Sequence, residues 1–181
     1  MRHHGGGLVD LLPFSSTIAP GGHLDLGRDL VLNMAGFDHL IPAAVHVPIN
    51  RELRLPLAPI PLYVWLKLVA FSDRKAPKDL AGVLHCLEHY REDDDIRYAL
   101  DHGTEPVPFE YTSAYLVGLD GRPFLDARVT ASVRPVLDRF DGPDATVVAI
   151  VAREKGALLL RDADRVEIFE RFHWFRAASA V

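Results

Sequence analysis

An acidic residue near the N-terminus is of a type that could bind metal. Asp10 lies inside the apolar run of residues 8–14. A carboxylate on an apolar strand costs several kcal/mol to bury unless something pairs with it, and a metal ion is one such partner. A hydrogen-bonded structural aspartate near a strand end is the alternative. The residue type therefore indicates either a metal ligand or a structural acid.

Two cations and a further acid follow on predicted helices. Lys67 precedes Arg74 by nearly two turns on one helix face, so both can face a single anion. The ammonium of Lys67 is a compact charge that suits a triphosphate. The alternative is that the aliphatic part of the side chain packs along the apolar surface and the ammonium points into water. Asp79 is expected to cap the next helix, or to pair with Arg74 or Lys78. If it faces the same cleft, it could accept a proton from an attacking hydroxyl.

A small sheet and two helices are needed to position these residues. Residues 44–49 and 53–57 flank Asn50 as a hairpin, and Pro59 and Pro61 open an apolar helix over 62–71. Tyr63, Trp65 and Phe71 have the helical spacing of core residues. The predicted elements are a strand over 8–14, a loop with one short helical stretch over 19–40, the hairpin, and helices over 62–71 and 77–90.

The second half has mainly helical spacing. The acidic segment 92–95 predicts a solvated loop or the first turn of a helix near Ile96. The fold class is therefore α/β (α+β), with a small mixed sheet of about three or four strands near 8–58, then helices. We predict a domain at 1–91 and a helical C-terminal region at 92–181. Further helices are predicted over 109–119, 125–140, 145–152 (equally a strand) and 164–178.

Composition excludes several classes of function. The chain has 181 residues and a net charge of −5, which disfavours generic duplex binding and attraction to anionic membranes. Its one cysteine, Cys86, cannot form an internal disulfide, so a cytoplasmic location is expected. No secretion signal is predicted at the N-terminus. The most apolar window, 53–71, is interrupted by prolines and charges, which excludes a membrane span there.

Histidines offer two other metal arrangements. His3 and His4 could join Asp10, although adjacent histidines near a terminus lack the rigid support that metal ligands need. His85 and His89 lie four residues apart on a predicted helix and could share a metal. No glutamate completes a His-Glu-x-x-His pattern there, so two solvated histidines on a surface face are the preferred interpretation.

The order of these elements resembles one protein family. The strand of residues 8–14, the hairpin, the helix of 66–74 and Lys78-Asp79 resemble the predicted nucleotidyltransferases related to toxins of abortive-infection type IV toxin–antitoxin systems. Residues 114–120 are similar to the helical C-terminal part of that family. The resemblance covers roughly residues 7–140, and the lysine helix is its most specific motif.

The resemblance implies transfer of a nucleoside monophosphate from a nucleoside triphosphate to an acceptor, with Mg²⁺ as the metal. It makes Asp10 the third metal-binding carboxylate and a catalytic residue. It makes Lys67 the lysine that binds the nucleotide phosphates and Arg74 its companion. Asp79 corresponds to a downstream acid that is a candidate catalytic base.

Departures from the family pattern also shape the expectation. The Gly-Ser turn and Asp-x-Asp pair of the family precede the third carboxylate, but only nine residues precede Asp10 and none is acidic. Gly82 stands where a second downstream aspartate is expected. The sequence thus predicts an N-terminally truncated member. Transfer activity is expected of the complete form, whereas this chain is expected to be inactive because two of the three metal-binding carboxylates are absent. The alternative is a non-catalytic module that binds a nucleotide or a protein, such as an antitoxin.

Overall fold

A computed structural model describes residues 12–15, 17–27, 31–102, 106–154 and 161–181. Strands lie in the N-terminal third and helices follow, which confirms the predicted α/β class with a helical C-terminal region. The strands are β1 (His23–Asp25), β2 (Val31–Asn33), β3 (Val45–Pro48) and β4 (Arg54–Leu57). The α-helices are α1 (Ile60–Arg74), α2 (Pro77–His89), α3 (Ile96–Asp101), α4 (Thr112–Gly121), α5 (Ala127–Leu137), α6 (Thr146–Glu154) and α7 (Asp162–Ser179).

The described strands form two separate antiparallel pairs, β1 with β2 and β3 with β4, rather than one sheet. The pair β3–β4 is the predicted hairpin. Its turn is held by Asn50, whose Oδ1 accepts the backbone N–H groups of Glu52 at 2.9 Å and Leu53 at 2.8 Å. This short side chain replaces the missing backbone partners of the turn, as asparagine commonly does.

The pair β1–β2 was not predicted, because a loop was expected over residues 19–40. Each strand has only three residues, too few for an alternating apolar pattern to show. The backbone N–H of Met34 donates to the carbonyl of Gly22 at 2.8 Å, next to the pair. A 3₁₀ helix at Phe37–His39 follows and matches the expected short helical stretch. Of the strand predicted at 8–14, residues 8–11 lie outside the described residues, and 12–14 have no regular secondary structure.

Helix α1 is the centre of the fold. Prolines mark its start, as predicted: Pro59 is the N-cap residue with an extended backbone, and Pro61 lies in the first turn, where its fixed φ suits the helix. Its inward face buries a series of large side chains, whereas the side chain of Lys67 stays partly exposed. The fully buried members of that series include Leu62, Val64, Trp65 and Leu68.

One hydrophobic core joins α1 and α2 to α4, α5, α6 and α7. The indole Nε1 of Trp65 donates to the carbonyl of Gly121 at 2.9 Å and so ties α1 to the end of α4. This core contains residues from both sides of the domain boundary predicted between residues 91 and 92. The division into two domains stays a prediction. Residues 146–154 are helical, which settles the helix-or-strand alternative there. Within the described ranges, no helix has the length and apolar character to span a membrane.

Candidate functional site

Three of the four predicted site residues meet at one point. Asp79 is fully buried and accepts hydrogen bonds from two cations on α1. The guanidinium of Arg74 donates from Nε to Oδ2 and from Nη2 to Oδ1, both at 2.7 Å. The ammonium of Lys67 donates to Oδ1 at 3.1 Å. Lys67 and Arg74 do face one anion, as predicted, and that anion is the carboxylate of Asp79.

The turn between α1 and α2 brings these groups together. Lys75 ends α1 in the left-handed region at φ 53°, and Pro77 opens α2 only two residues later. This short connection places Asp79, in the first turn of α2, against the last turns of α1. The expectation that Asp79 caps α2 is wrong, because its carboxylate is occupied by the two cations and the N-cap Ala76 offers no side-chain acceptor. The predicted pairing with Arg74 is confirmed.

The charges of this cluster stabilise one another. Burial tends to raise the pKa of Asp79, but the hydrogen bonds and positive charges of Arg74 and Lys67 outweigh it and hold the pKa below its usual value. The hydrogen bond to Asp79 raises the pKa of Arg74, against the smaller effect of burial. Asp79 and Arg74 therefore stay ionised across the physiological range.

A cavity of about 560 Å³ opens beside the two cations. Most of its wall is apolar and comes from α1 and β2, and its charged groups are Lys67, Asp73 and Arg74 on α1. The ammonium of Lys67 lies 5.5 Å from the ring centroid of Tyr63, a cation–π contact at the cavity wall. The lining residues are Leu12, Val31, Leu32, Asn33, Phe37, Tyr63, Leu66, Lys67, Val69, Ala70, Asp73 and Arg74.

Asn33 and Asp73 belong to this site and were missed by the sequence interpretation. The backbone N–H of Asn33 donates to Oδ2 of Asp73 at 3.1 Å and so fixes β2 to the end of α1. The side-chain amide of Asn33 also donates to Oγ of Ser132 on α5 at 3.0 Å. These contacts join residues far apart in sequence. The only available signal was the position of Asp73 directly before Arg74.

Tyr63 and Gly82 also face this region. Tyr63 was predicted in the core, which is wrong: it is 38% exposed and lines the cavity. Trp65 and Phe71 are buried as predicted. A Cβ atom at Gly82 would lie 3.2 Å from the Tyr63 hydroxyl oxygen. Glycine at position 82 thus leaves room for the Tyr63 hydroxyl group.

Asp10, the fourth predicted site residue, lies outside the described residues. Leu12, two positions further along the chain, lines the cavity. Among the described lining residues, Asp73 is the carboxylate that could reach a metal ion. Mg²⁺ is commonly held by one or two carboxylates together with substrate phosphates. A Mg²⁺–nucleotide complex therefore fits the chemistry of this wall.

Comparisons with known proteins assign no family to the chain. No protein-family model, curated protein or solved structure matches it. The nucleotidyltransferase relationship therefore remains a hypothesis that depends on Asp10, Lys67, Arg74 and Asp79.

Proposed function

We propose that the cavity beside Lys67 and Arg74 binds a nucleoside triphosphate, in a chain related to the nucleotidyltransferases. The observation that carries this proposal is the convergence of both cations on Asp79 at the rim of a cavity of about 560 Å³. Pockets for small ligands commonly enclose about 300–1,000 Å³ and combine apolar walls with a few fixed polar groups. The cavity has both properties.

The two cations keep capacity for an anion. Arg74 gives Asp79 two of the five N–H donors of its guanidinium, and Lys67 gives it one of three. Their side chains are 51% and 26% exposed, so the remaining donors can be reached from solvent. The two cations are balanced in charge by Asp79 and by Asp73, which also lines the cavity. The N–H donors that the two cations do not give to Asp79 support binding of phosphate oxygens.

The apolar wall gives the other half of a nucleotide a place to bind. Leu66, Val69 and Ala70 on α1 face Val31 and Leu32 across the cavity. A nucleobase and ribose inserted here would bury apolar surface, while the phosphates stay near the cations. The Tyr63 ring adds an aromatic surface at the same wall.

Asp79 serves in this proposal as a positioning residue. A general base needs a lone pair directed at the proton that it accepts. The oxygens of Asp79 are fully buried and hydrogen-bonded to cations, and its pKa is lowered. Asp79 thereby holds Lys67 and Arg74 in place for phosphate binding. The predicted role of Asp79 as a catalytic base is not supported by this burial.

Calorimetric titration of the full chain with ATP and Mg²⁺ tests the proposal. Lys67→Met and Arg74→Met should each weaken ATP about tenfold or more, since a hydrogen bond between charged groups contributes about 1.5–3 kcal/mol. Lys78→Met is the matched control, because Lys78 is an exposed neighbouring cation outside the lining of the cavity. Thermal unfolding must show that each variant is folded. Equal ATP affinity in all three variants would overturn the proposal.

A variant of the apolar wall provides an independent test. Ala70→Leu fills the cavity from α1 while keeping a good helix former. It should weaken ATP and leave inorganic triphosphate unaffected, because the triphosphate has no base to insert. If Ala70→Leu leaves ATP binding unchanged, the base does not occupy this cavity.

Transfer of a labelled nucleotide in the presence of Mg²⁺ separates an enzyme from a binding module. In the enzyme form of the proposal, Asp10 holds the metal that activates the attacking oxygen, so Asp10→Ala abolishes transfer. Detected transfer would show an enzyme, whereas ATP binding without transfer is expected both of a truncated, inactive member and of the non-catalytic alternative. An antitoxin or other protein partner stays a prediction for a pull-down experiment.

A further inference from the structure

A second group of polar side chains lies on α2, beyond the Asp79 cluster. Ligand atoms of His85, Glu88 and His89 all lie within 4.8 Å of one another. The ring centroids of His85 and His89 are 4.7 Å apart. Spacings of three and four residues put all three side chains on one helix face. The His-x-x-Glu-His order also occurs in zinc hydrolases, where the two histidines bind the metal and the glutamate acts as a base.

The distances suit a small metal ion after modest side-chain rotation. Zinc–nitrogen bonds of about 2.0–2.1 Å in a tetrahedron place ligand atoms about 3.3 Å apart. His85 and His89 are exposed, so their rings can turn toward each other without disturbing the core. The backbone of α2 needs no change, because its inner face is anchored by Leu84 and Leu87.

A neighbouring carboxylate orients one of the rings. Oε2 of Glu92 lies 3.0 Å from Nδ1 of His89, within hydrogen-bond distance. Nε2 of the same ring faces Glu88, 3.9 Å from its Oε2. A metal-binding histidine characteristically gives its other ring nitrogen to a carboxylate, which fixes the tautomer and the direction of the ligand atom. Glu92 stands in this position for His89.

The local charge also favours a cation. The acidic segment 92–95 begins three residues after the last residue of α2. The nearby Arg91 is paired with Asp94 at 2.6 Å. Arg171 lies 3.9 Å from Oε1 of Glu88, but it is also bound to Glu167 at 2.7 Å. These cations are therefore shared among several acids.

We propose that His85, Glu88 and His89 form a binding site for a divalent transition metal of the zinc type, with Glu92 as the positioning residue of His89. Two imidazole nitrogens select zinc-like ions over Mg²⁺, which prefers oxygen ligands. The site is separate from the nucleotide cavity, since His85 lies six residues beyond Asp79, about 9 Å along the helix. The zinc site does not depend on the proposed nucleotide binding.

Competition of the full chain with a chromophoric chelator for Zn²⁺ tests this site. The native chain should bind one zinc ion at this site, and excess Mg²⁺ should not displace it. His85→Gln and His89→Gln should each lower zinc affinity more than about tenfold, and Glu92→Gln by about tenfold. Glu88→Gln should weaken zinc as well, because it removes the anionic ligand. Zinc should raise the melting temperature of the native chain and not that of the histidine variants.

Two control variants make the result specific. His102→Gln changes an exposed histidine outside the cluster and should leave zinc affinity unchanged. The double variant His3→Gln with His4→Gln removes the histidines of the N-terminus and should also leave it unchanged. Zinc affinity that survives in both His85→Gln and His89→Gln, or that disappears in the N-terminal double variant, would overturn the proposal. An absence of saturable zinc binding by the native chain at micromolar zinc would do the same.

Discussion

Replacement of Asp79 by asparagine tests whether the buried carboxylate organises the junction of α1 and α2. The change keeps the side-chain shape but removes the charge that Arg74 and Lys67 share. The new amide N–H₂ group faces donors of Arg74 or Lys67, so at least one hydrogen bond is lost. Arg74 and Lys67 also lose the negative charge of Asp79. The variant should therefore unfold more easily than the native chain.

The magnitude follows from burial. Removing one partner of a fully buried ion pair costs about 3–5 kcal/mol. Asp79 is fully buried, but Lys67 and Arg74 are 26% and 51% exposed and can recover hydration. We therefore expect a loss of about 2 kcal/mol in the free energy of unfolding for Asp79→Asn. For a chain of this size that corresponds to a melting temperature lower by about 4–8 °C.

Urea unfolding followed by circular dichroism at several pH values measures this effect. The pKa of folded Asp79 is lowered, so its stabilising contribution is complete above the unfolded value of about 3.9 and is lost as the pH falls through the folded pKa. The curves of native chain and variant should thus differ at pH 7 and converge in acid. Asp141→Asn, at an exposed position, is the control. A difference that is absent at pH 7, or that persists unchanged in acid, would refute this account of Asp79.

Two further substitutions test packing and a buried hydroxyl. Gly118→Ala should destabilise the fold by about 2 kcal/mol in urea unfolding, because its Cβ would clash with the backbone oxygen of Phe175. Gly142→Ala, where a Cβ meets nothing within 4 Å, should be nearly neutral, and equal effects would contradict the reasoning. Burial, together with the hydrogen bond and charge of Asp120, raises the pKa of Tyr90 to about 12. The protonated hydroxyl therefore stabilises the folded state below the unfolded pKa of about 10, and this stabilisation is lost as the pH rises from about 10 to about 12. In an absorbance titration of the tyrosines, Tyr90→Phe should remove the step near pH 12. If the variant keeps that step, the step does not belong to Tyr90.

Local signals in the sequence predicted the hairpin and the helices. Asn50 marks the β3–β4 turn because its side chain can satisfy turn amides, and Pro59, Pro61 and Pro77 mark helix starts because proline needs no N–H partner there. Each of these effects acts within a few residues. The β1–β2 pair is held in place by contacts distant in sequence, such as that of Asn33 with Asp73. Its strands of three residues are too short for an alternating apolar pattern to be recognised.

The candidate site was predictable only as far as helix geometry reaches. The spacing of Lys67 and Arg74 placed both on one face, and they do converge. Pairing of Asp79 with Arg74 was one of the predicted alternatives, and the sequence could not choose among them, since the turn at Lys75 decides where Asp79 points. Asn33 reaches the site through a contact with Asp73, forty residues away in the chain. Such a contact leaves no trace in local spacing.

The position of α1 also determines which side of the cavity can adapt. One face of this helix carries Lys67 and Arg74, and the other packs on α2, α4 and α5 in the core. Its amides should therefore exchange with solvent hydrogen only when the core opens, so the cationic wall is preorganised. The opposite wall is a strand of three residues in which Val31 is half exposed. We therefore expect β2, rather than α1, to move when a ligand binds. Because the cationic wall is already ordered, binding should lose little conformational entropy there.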